Sequence, residues 1–188
     1  MSNQGPPERD FDQSEAYQIM EDAFQENIEY LDDFPGFESR GYSTSVCENP
    51  DRSETGFVRI EITYRFSSED SDSDLVRHDY FEALEKAWDE AGYDIHRVDI
   101  SDDGEVKDVE ARRPDGVNYW FRVWDRVVLT IQSGCVRETG IDEPYIPPVG
   151  DVPPENDRTH AEQRGHDPDA EDTPTEDESA DAINPFAN

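Results

Sequence analysis

Between Val106 and Cys135 the chain carries three β-forming runs joined by very short links, and this stretch restricts the fold more than any other. Val106–Arg112 is followed by Pro114-Asp115-Gly116, and Val117–Trp124 by Asp125-Arg126. Val127–Gln132 closes the series just ahead of Ser133-Gly134-Cys135-Val136. Upstream, Tyr93–Ile100 leads through Asp102-Asp103-Gly104 into the first of these runs. Short links with Asp and Gly join antiparallel neighbours, because a parallel connection needs a dozen residues or more. Four strands in an antiparallel meander are expected from Tyr93 to Gln132.

The clearest alternation precedes them. In Phe57–Phe66, Val58, Ile60, Ile62, Tyr64 and Phe66 fall on one side and Arg59, Glu61, Thr63 and Arg65 on the other. That is a strand with one wet face. Gly41–Cys47 reads as a shorter strand ahead of the Asn49-Pro50-Asp51 turn. Two segments have helical period instead. Asp12 or Ser14 caps a helix running to about Asp32, with Tyr17, Met20, Phe24, Ile28 and Leu31 on one face. Glu21, Asp22, Glu26 and Glu29 are placed on the opposite face, and Pro35-Gly36 ends the element. Ser73 or Asp74 caps a second helix, about Leu75–Ala91, striped by Tyr80, Phe81, Leu84, Ala87, Trp88 and Ala91 and stopped by Gly92. One stripe per helix implies one covered sheet face. The expected fold is α+β, a two-layer sandwich of an antiparallel meander sheet with two helices on one face.

Composition sets the limits of that domain. From Pro144 onward lie eight of the thirteen prolines, and from Ile141 to Asn188 there are 14 acidic residues against two arginines. Such a segment buries too little apolar surface to order itself. The expected division is a disordered leader at 1–11, the α+β domain at 12–140 and a disordered acidic, Pro-rich tail at 141–188. The formal net charge is −32, with only two lysines, Lys86 and Lys107. A surface of this sign repels phosphates, so direct nucleic-acid binding is not expected and a basic protein is the natural partner. A salt-tolerant source accounts for the same charge without any partner.

No run of 18 apolar residues predicts a transmembrane helix. Met1–Pro7 is a polar leader rather than a signal sequence, which reads as cytoplasmic unless a signal peptide or lipid anchor lies upstream. The two cysteines, Cys47 and Cys135, flank the strand-rich part of the chain and suit a disulfide, which belongs to an oxidising compartment. Two unrelated buried thiols are the other reading.

Motifs for chemistry are sparse. Asp99, Ser101, Asp103 and Glu110 hold positions one, three, five and twelve of a calcium loop, with Gly104 at six and Val106 at eight. Ser at three, Lys107 at nine and strand-like flanks favour a simple hairpin turn, so no metal is assigned. His78, His96, His160 and His166 lack metal-ligand spacing with the cysteines. No nucleophile elbow, phosphate loop or zinc-protease helix is present, and neither an enzyme nor a cofactor is expected. Alternation sends Tyr119, Phe121 and Val123 to one face of their strand and Trp120, Arg122 and Trp124 to the other. The second set is the candidate partner-binding patch. Ile183-Asn-Pro-Phe186 resembles a peptide read by endocytic adaptor domains and is a candidate docking peptide.

Tyr80-Phe-Glu-Ala-Leu-Glu-Lys-Ala-Trp-Asp-Glu-Ala-Gly-Tyr, the Asp-Gly meander and the closing Ser133-Gly134-Cys135-Val136 together resemble a pattern in actinobacterial cell-envelope proteins. Over roughly Leu31–Val136 the chain looks like the small secreted or lipid-anchored, LppA-like proteins of unassigned function. The resemblance implies an envelope location and supports a Cys47–Cys135 bridge, although no lipobox precedes the domain. It implies no catalytic residue. The expected function is a non-enzymatic cell-envelope or secreted protein-interaction domain, disulfide-tied, with an acidic arm. An intracellular acidic DNA mimic that inhibits a nucleic-acid-binding protein is the alternative, and a calcium-stabilised module is the third reading.

Overall fold

The computed structural model describes residues 9–49 and 53–159. Asp12 starts helix α1 (Gln13–Ile28) through a capping box: its carboxylate accepts from the Ser14 and Glu15 amides, and Glu15 accepts from the Asp12 amide. Strands β1 (Ser39–Glu48) and β2 (Glu54–Arg65) form a hairpin. A helical crossover follows, made of α2 (Ser68–Ser71), a π-helical turn (Leu75–Asp79) and α3 (Tyr80–Glu90). The meander is β3 (Asp94–Ile100), β4 (Lys107–Arg112), β5 (Asn118–Val123) and β6 (Val127–Arg137).

All six strands share one antiparallel sheet in the order β1-β2-β6-β5-β4-β3. The β6 strand runs on to Arg137, past the expected end at Gln132, and its length carries two partners, β5 and β2. That pairing joins the hairpin to the meander. Counting reversals across the order, β2 and β3 run in the same direction, so the helical segment must span the sheet to reach its far edge.

One face of the sheet is covered and one is not. Val58, Ile60, Ile62 and Tyr64 of β2, Tyr119, Phe121 and Val123 of β5, and Leu129 and Ile131 of β6 are buried beneath α1 and α3. Trp88 of α3 stacks on Tyr119 at 5.3 Å, and its indole N–H donates to Asn27 Oδ1 of α1 at 2.7 Å. One side chain thereby holds both helices to each other and to the sheet.

Three expectations are corrected. The domain is longer at both ends than 12–140: Phe11 is buried in the core, and residues 141–159 pack back along β1. Phe37 N–H donates to Gly150 O, Val149 N–H to the Tyr64 hydroxyl, and Asp157 forms a parallel bridge with Arg40. The rest of the expected leader and tail, 1–8 and 160–188 with the Ile183–Phe186 peptide, lies outside the described residues. Second, α1 ends at Ile28, and Glu21 is not on its wet face but buried, 2% exposed. Third, the second helix is interrupted. The Tyr80 amide bonds Leu75 O, five residues back, so one extra residue is accommodated before α3 begins.

Candidate functional site

The β5–β6 turn and the free edge of β3 meet at one corner of the sheet. Trp124 lies just past the end of β5 with 55% of its surface exposed, and it shares a cleft with Val106. Ile100, at the end of β3, is equally exposed, and Val98 on the same strand is also open to solvent. The Ser101 amide donates to Val106 O, which holds the end of β3 beside the Val106 loop. The strand β3 bulges between Ile95 and Arg97 and has no partner on its outer side among the described residues. Val106 and Trp124 therefore surface together in one cleft, with Ile100 and Val98 exposed along the end of the edge strand β3.

The π-helical turn organises this corner. Arg77 projects from it and donates to Trp124 O at 2.9 Å, Glu105 O at 2.6 Å and Ser71 O at 3.0 Å. A single guanidinium thus ties both hairpin turns to the crossover. Next to it, Lys107 Nζ lies 2.7 Å from His78 Nδ1 and 5.3 Å from the centre of the Phe81 ring. Asp72, Asp74, Glu105 and Asp125 rim the cleft. Val106 and Trp124 are its apolar lining, and the four carboxylates stand beside Arg77 and His78, so the cleft suits an apolar side chain flanked by cations.

The candidate patch of Trp120, Arg122 and Trp124 is divided. Trp120 and Arg122 lie on the uncovered face, as alternation places them, whereas β5 stops at Val123 and Trp124 turns away into the cleft. On the uncovered face Arg122 sits 5.9 Å over the Trp120 ring and pairs with Asp108 at 3.2 Å and Glu110 at 3.6 Å. Arg97 on β3 reaches Glu110 at 3.3 Å, and His96 reaches it at 3.4 Å. Asp108 is the strained member. Burial raises its pKa despite Arg122, with repulsion from Glu110 adding to the shift, and its Oδ1 is buried without a hydrogen-bond partner.

The calcium-loop residues do not converge. Asp99 pairs with Arg97 at 2.5 Å, and Arg97 stands between it and Glu110. Asp103 accepts from the Ser101 hydroxyl and the Glu105 amide, both inside the β3–β4 turn. Its pKa is lowered by these two bonds. The arrangement is a hairpin turn, and no group of His, Cys, Asp and Glu among the described residues is placed to hold a metal ion.

Cys47 of β1 and Cys135 of β6 are joined, a separation of 88 residues. They belong to the two strands that flank β2 and lock the hairpin to the meander.

Sequence reasoning did not foresee a second polar cluster. Arg40, fully buried, donates to Glu21 Oε1 at 2.7 Å, to both Asp157 oxygens at 3.0 and 2.7 Å, and to the Thr159 hydroxyl at 2.9 Å. The Tyr42 and Tyr64 hydroxyls also donate to Glu21, and burial beside that carboxylate pushes both phenols up. With every oxygen engaged and Arg40, Glu21 and Asp157 closed to solvent, this cluster is a clasp on the 141–159 segment rather than a site.

No helix among the described residues is long and apolar enough to cross a membrane. No protein-family model matches the chain, and no significant match exists among curated proteins or solved structures.

Proposed function

We propose that this chain is a non-enzymatic protein-interaction domain of the cell envelope or the secreted space. The observation that carries the reading is the cleft in which Val106 and Trp124 are exposed among Asp72, Asp74, Glu105 and Asp125, with Ile100 and Val98 exposed on β3. Contiguous exposed apolar groups with a polar rim mark interaction surfaces, and tryptophan is the strongest anchor among them. The four carboxylates around the cleft select a partner that brings basic residues alongside an apolar anchor. The location is supported by the Cys47–Cys135 bridge, since disulfides persist where thiols are not kept reduced, and by the resemblance to LppA-like envelope proteins.

The test is a photo-crosslinking amino acid at Trp124, introduced into the full chain in the cells that make it. Crosslinks to envelope or secreted proteins, absent when the probe is moved to Lys86, are the expected result. Crosslinks equal at both positions would remove the corner as an interface. A thiol titration of the protein isolated from the same cells, denatured without reductant, should find no free thiol and two after reduction.

One observation favours a second reading, the intracellular acidic mimic. The outward side of the helical layer exposes Glu15, Asp22 and Glu26 on α1, Glu29 just past its end, and Glu82, Asp89 and Glu90 on α3, against one lysine, Lys86. That reading predicts two free thiols in the cell and crosslinks from Lys86 to a nucleic-acid-binding protein.

A further inference from the structure

At the other end of β5 from Trp124, the uncovered sheet face sinks into a depression of about 410 Å³. Arg9, Arg59 and Arg112 line it, together with Trp120, Gln132 and Asn118. Three arginines in one place are unusual on a chain of net charge −32. None of the three has a carboxylate within ion-pair distance among the described residues, whereas Arg40, Arg77, Arg97, Arg113, Arg122 and Arg126 all do. The one carboxylate lining the depression, Glu110, is already held by Arg97, Arg122 and His96.

The arginines are also placed. The Arg9 guanidinium lies across Gly116 and Gly134. A β-carbon on Gly116 would come within 1.3 Å of Nη1, and one on Gly134 within 2.4 Å of Nη2. Both glycines have positive φ, 87° and 70°, which favours glycine, and a side chain there would displace the Arg9 guanidinium. Arg9 donates to Asp115 O at 3.3 Å, and its Nε is buried with no partner. Burial and the nearby Arg112 lower its pKa, only partly offset by the Asp115 carboxylate, which Arg113 already holds. Arg112 is steered by a bond from Nε to Asn118 Oδ1 at 3.0 Å, which leaves its terminal nitrogens for a ligand. Gln132 gives its N–H to Glu61, and its carbonyl oxygen remains an acceptor.

We propose that this depression binds a sugar acid, a pyranose carrying one carboxylate. Guanidinium groups pair bidentately with a carboxylate, Trp120 offers an apolar wall to the ring, and the Gln132 carbonyl accepts from a hydroxyl. The volume falls at the low end of small-ligand sites. The molecule's own charge excludes a long polyanion, which would extend onto acidic flanks. A single compact anion stays within about one screening length, roughly 8 Å, of the arginines. This binding is independent of the protein contact at the Trp124 corner.

The test is calorimetric titration of the full chain with D-glucuronate, D-glucose and inorganic phosphate at about 150 mM salt. Saturable glucuronate binding, no glucose binding and phosphate binding at least tenfold weaker is the expected pattern. Arg112→Gln and Arg59→Gln should each weaken glucuronate at least tenfold, with Arg65→Gln, an exposed arginine outside the depression, unchanged. Circular dichroism of each variant checks that the fold is kept; these arginines are exposed, so it should be. No heat with glucuronate up to about 50 mM overturns the proposal. So does phosphate binding as tight as glucuronate, or an Arg112→Gln variant that binds as well as the parent.

Discussion

Arg40 is the residue on which the C-terminal part of the domain depends. It sits on β1 opposite Tyr64, between a helix carboxylate and a carboxylate 117 residues downstream. Removing one partner from a buried ion network leaves the others charged and dry, which costs about 3–5 kcal/mol. Arg40→Met should therefore lose that amount in urea denaturation. The triple variant Glu21→Gln, Arg40→Met, Asp157→Asn should recover most of the loss, because no buried charge is then left alone. Asp108 behaves differently. Its folded pKa is raised, so the folded state binds its proton more readily than the unfolded chain does. Stability from this group is greatest below the ordinary carboxylate range and is lost as pH rises through the folded pKa. Asp108→Asn should be more stable than the parent at pH 7, and the difference should shrink as pH falls towards 4 in parallel thermal melts.

At the scale of elements, the disulfide and β6 do the same job by different means. The strand pairs with β2 and β5 along its length, and Cys135 ties its end to β1. Closing an 88-residue loop limits the unfolded chain by about 4–5 kcal/mol in the chain-entropy model. Cys47→Ser with Cys135→Ser should lower the urea midpoint accordingly, while reductant should lower the parent's midpoint and leave the variant's unchanged. Helix and strand identities were readable from period alone, since the stripe on α3 and the alternation on β2 each repeat unbroken. The π-helical turn was not. Nothing in Leu75–Asp79 departs from helical period, and the turn carries Arg77, whose bonds to Trp124 O and Glu105 O join segments far apart in sequence.

Across the whole molecule, the domain closes only when residues 141–159 return to β1. Ending the chain at Gly150 removes Asp157 and Thr159 and strips Arg40 of three of its hydrogen bonds. The truncation should destabilise by an amount similar to Arg40→Met. Combining the two should cost far less than their sum, because both break one network. The net charge of −32 adds a second global term. Like charges over the surface repel at low ionic strength and are screened as salt is added. The melting temperature should rise from about 10 mM to 150 mM salt, where the screening length falls from roughly 30 to 8 Å. A fall over that range would mean that the ion pairs outweigh the repulsion.

By itself the amino-acid sequence determined the two long helices and the six strands, though not the short α2, which reads as loop. It also determined that the strands after Tyr93 form a meander, and that one face of the sheet is apolar. These follow from local period and turn chemistry, which act between near neighbours. The α+β sandwich was legible at that level; the Cys47–Cys135 bridge was one of two readings until the structure joined the pair. Only the tertiary structure decided the order β1-β2-β6-β5-β4-β3, because pairing β2 with β6 brings together residues some 70 apart. It also decided the fate of Glu21 and Asp157, whose charges read as wet until Arg40 lay between them. The apolar corner at Trp124 and the arginines at the other end of β5 were hidden for the same reason. Each is assembled from side chains that share no local pattern and meet only once the sheet has formed.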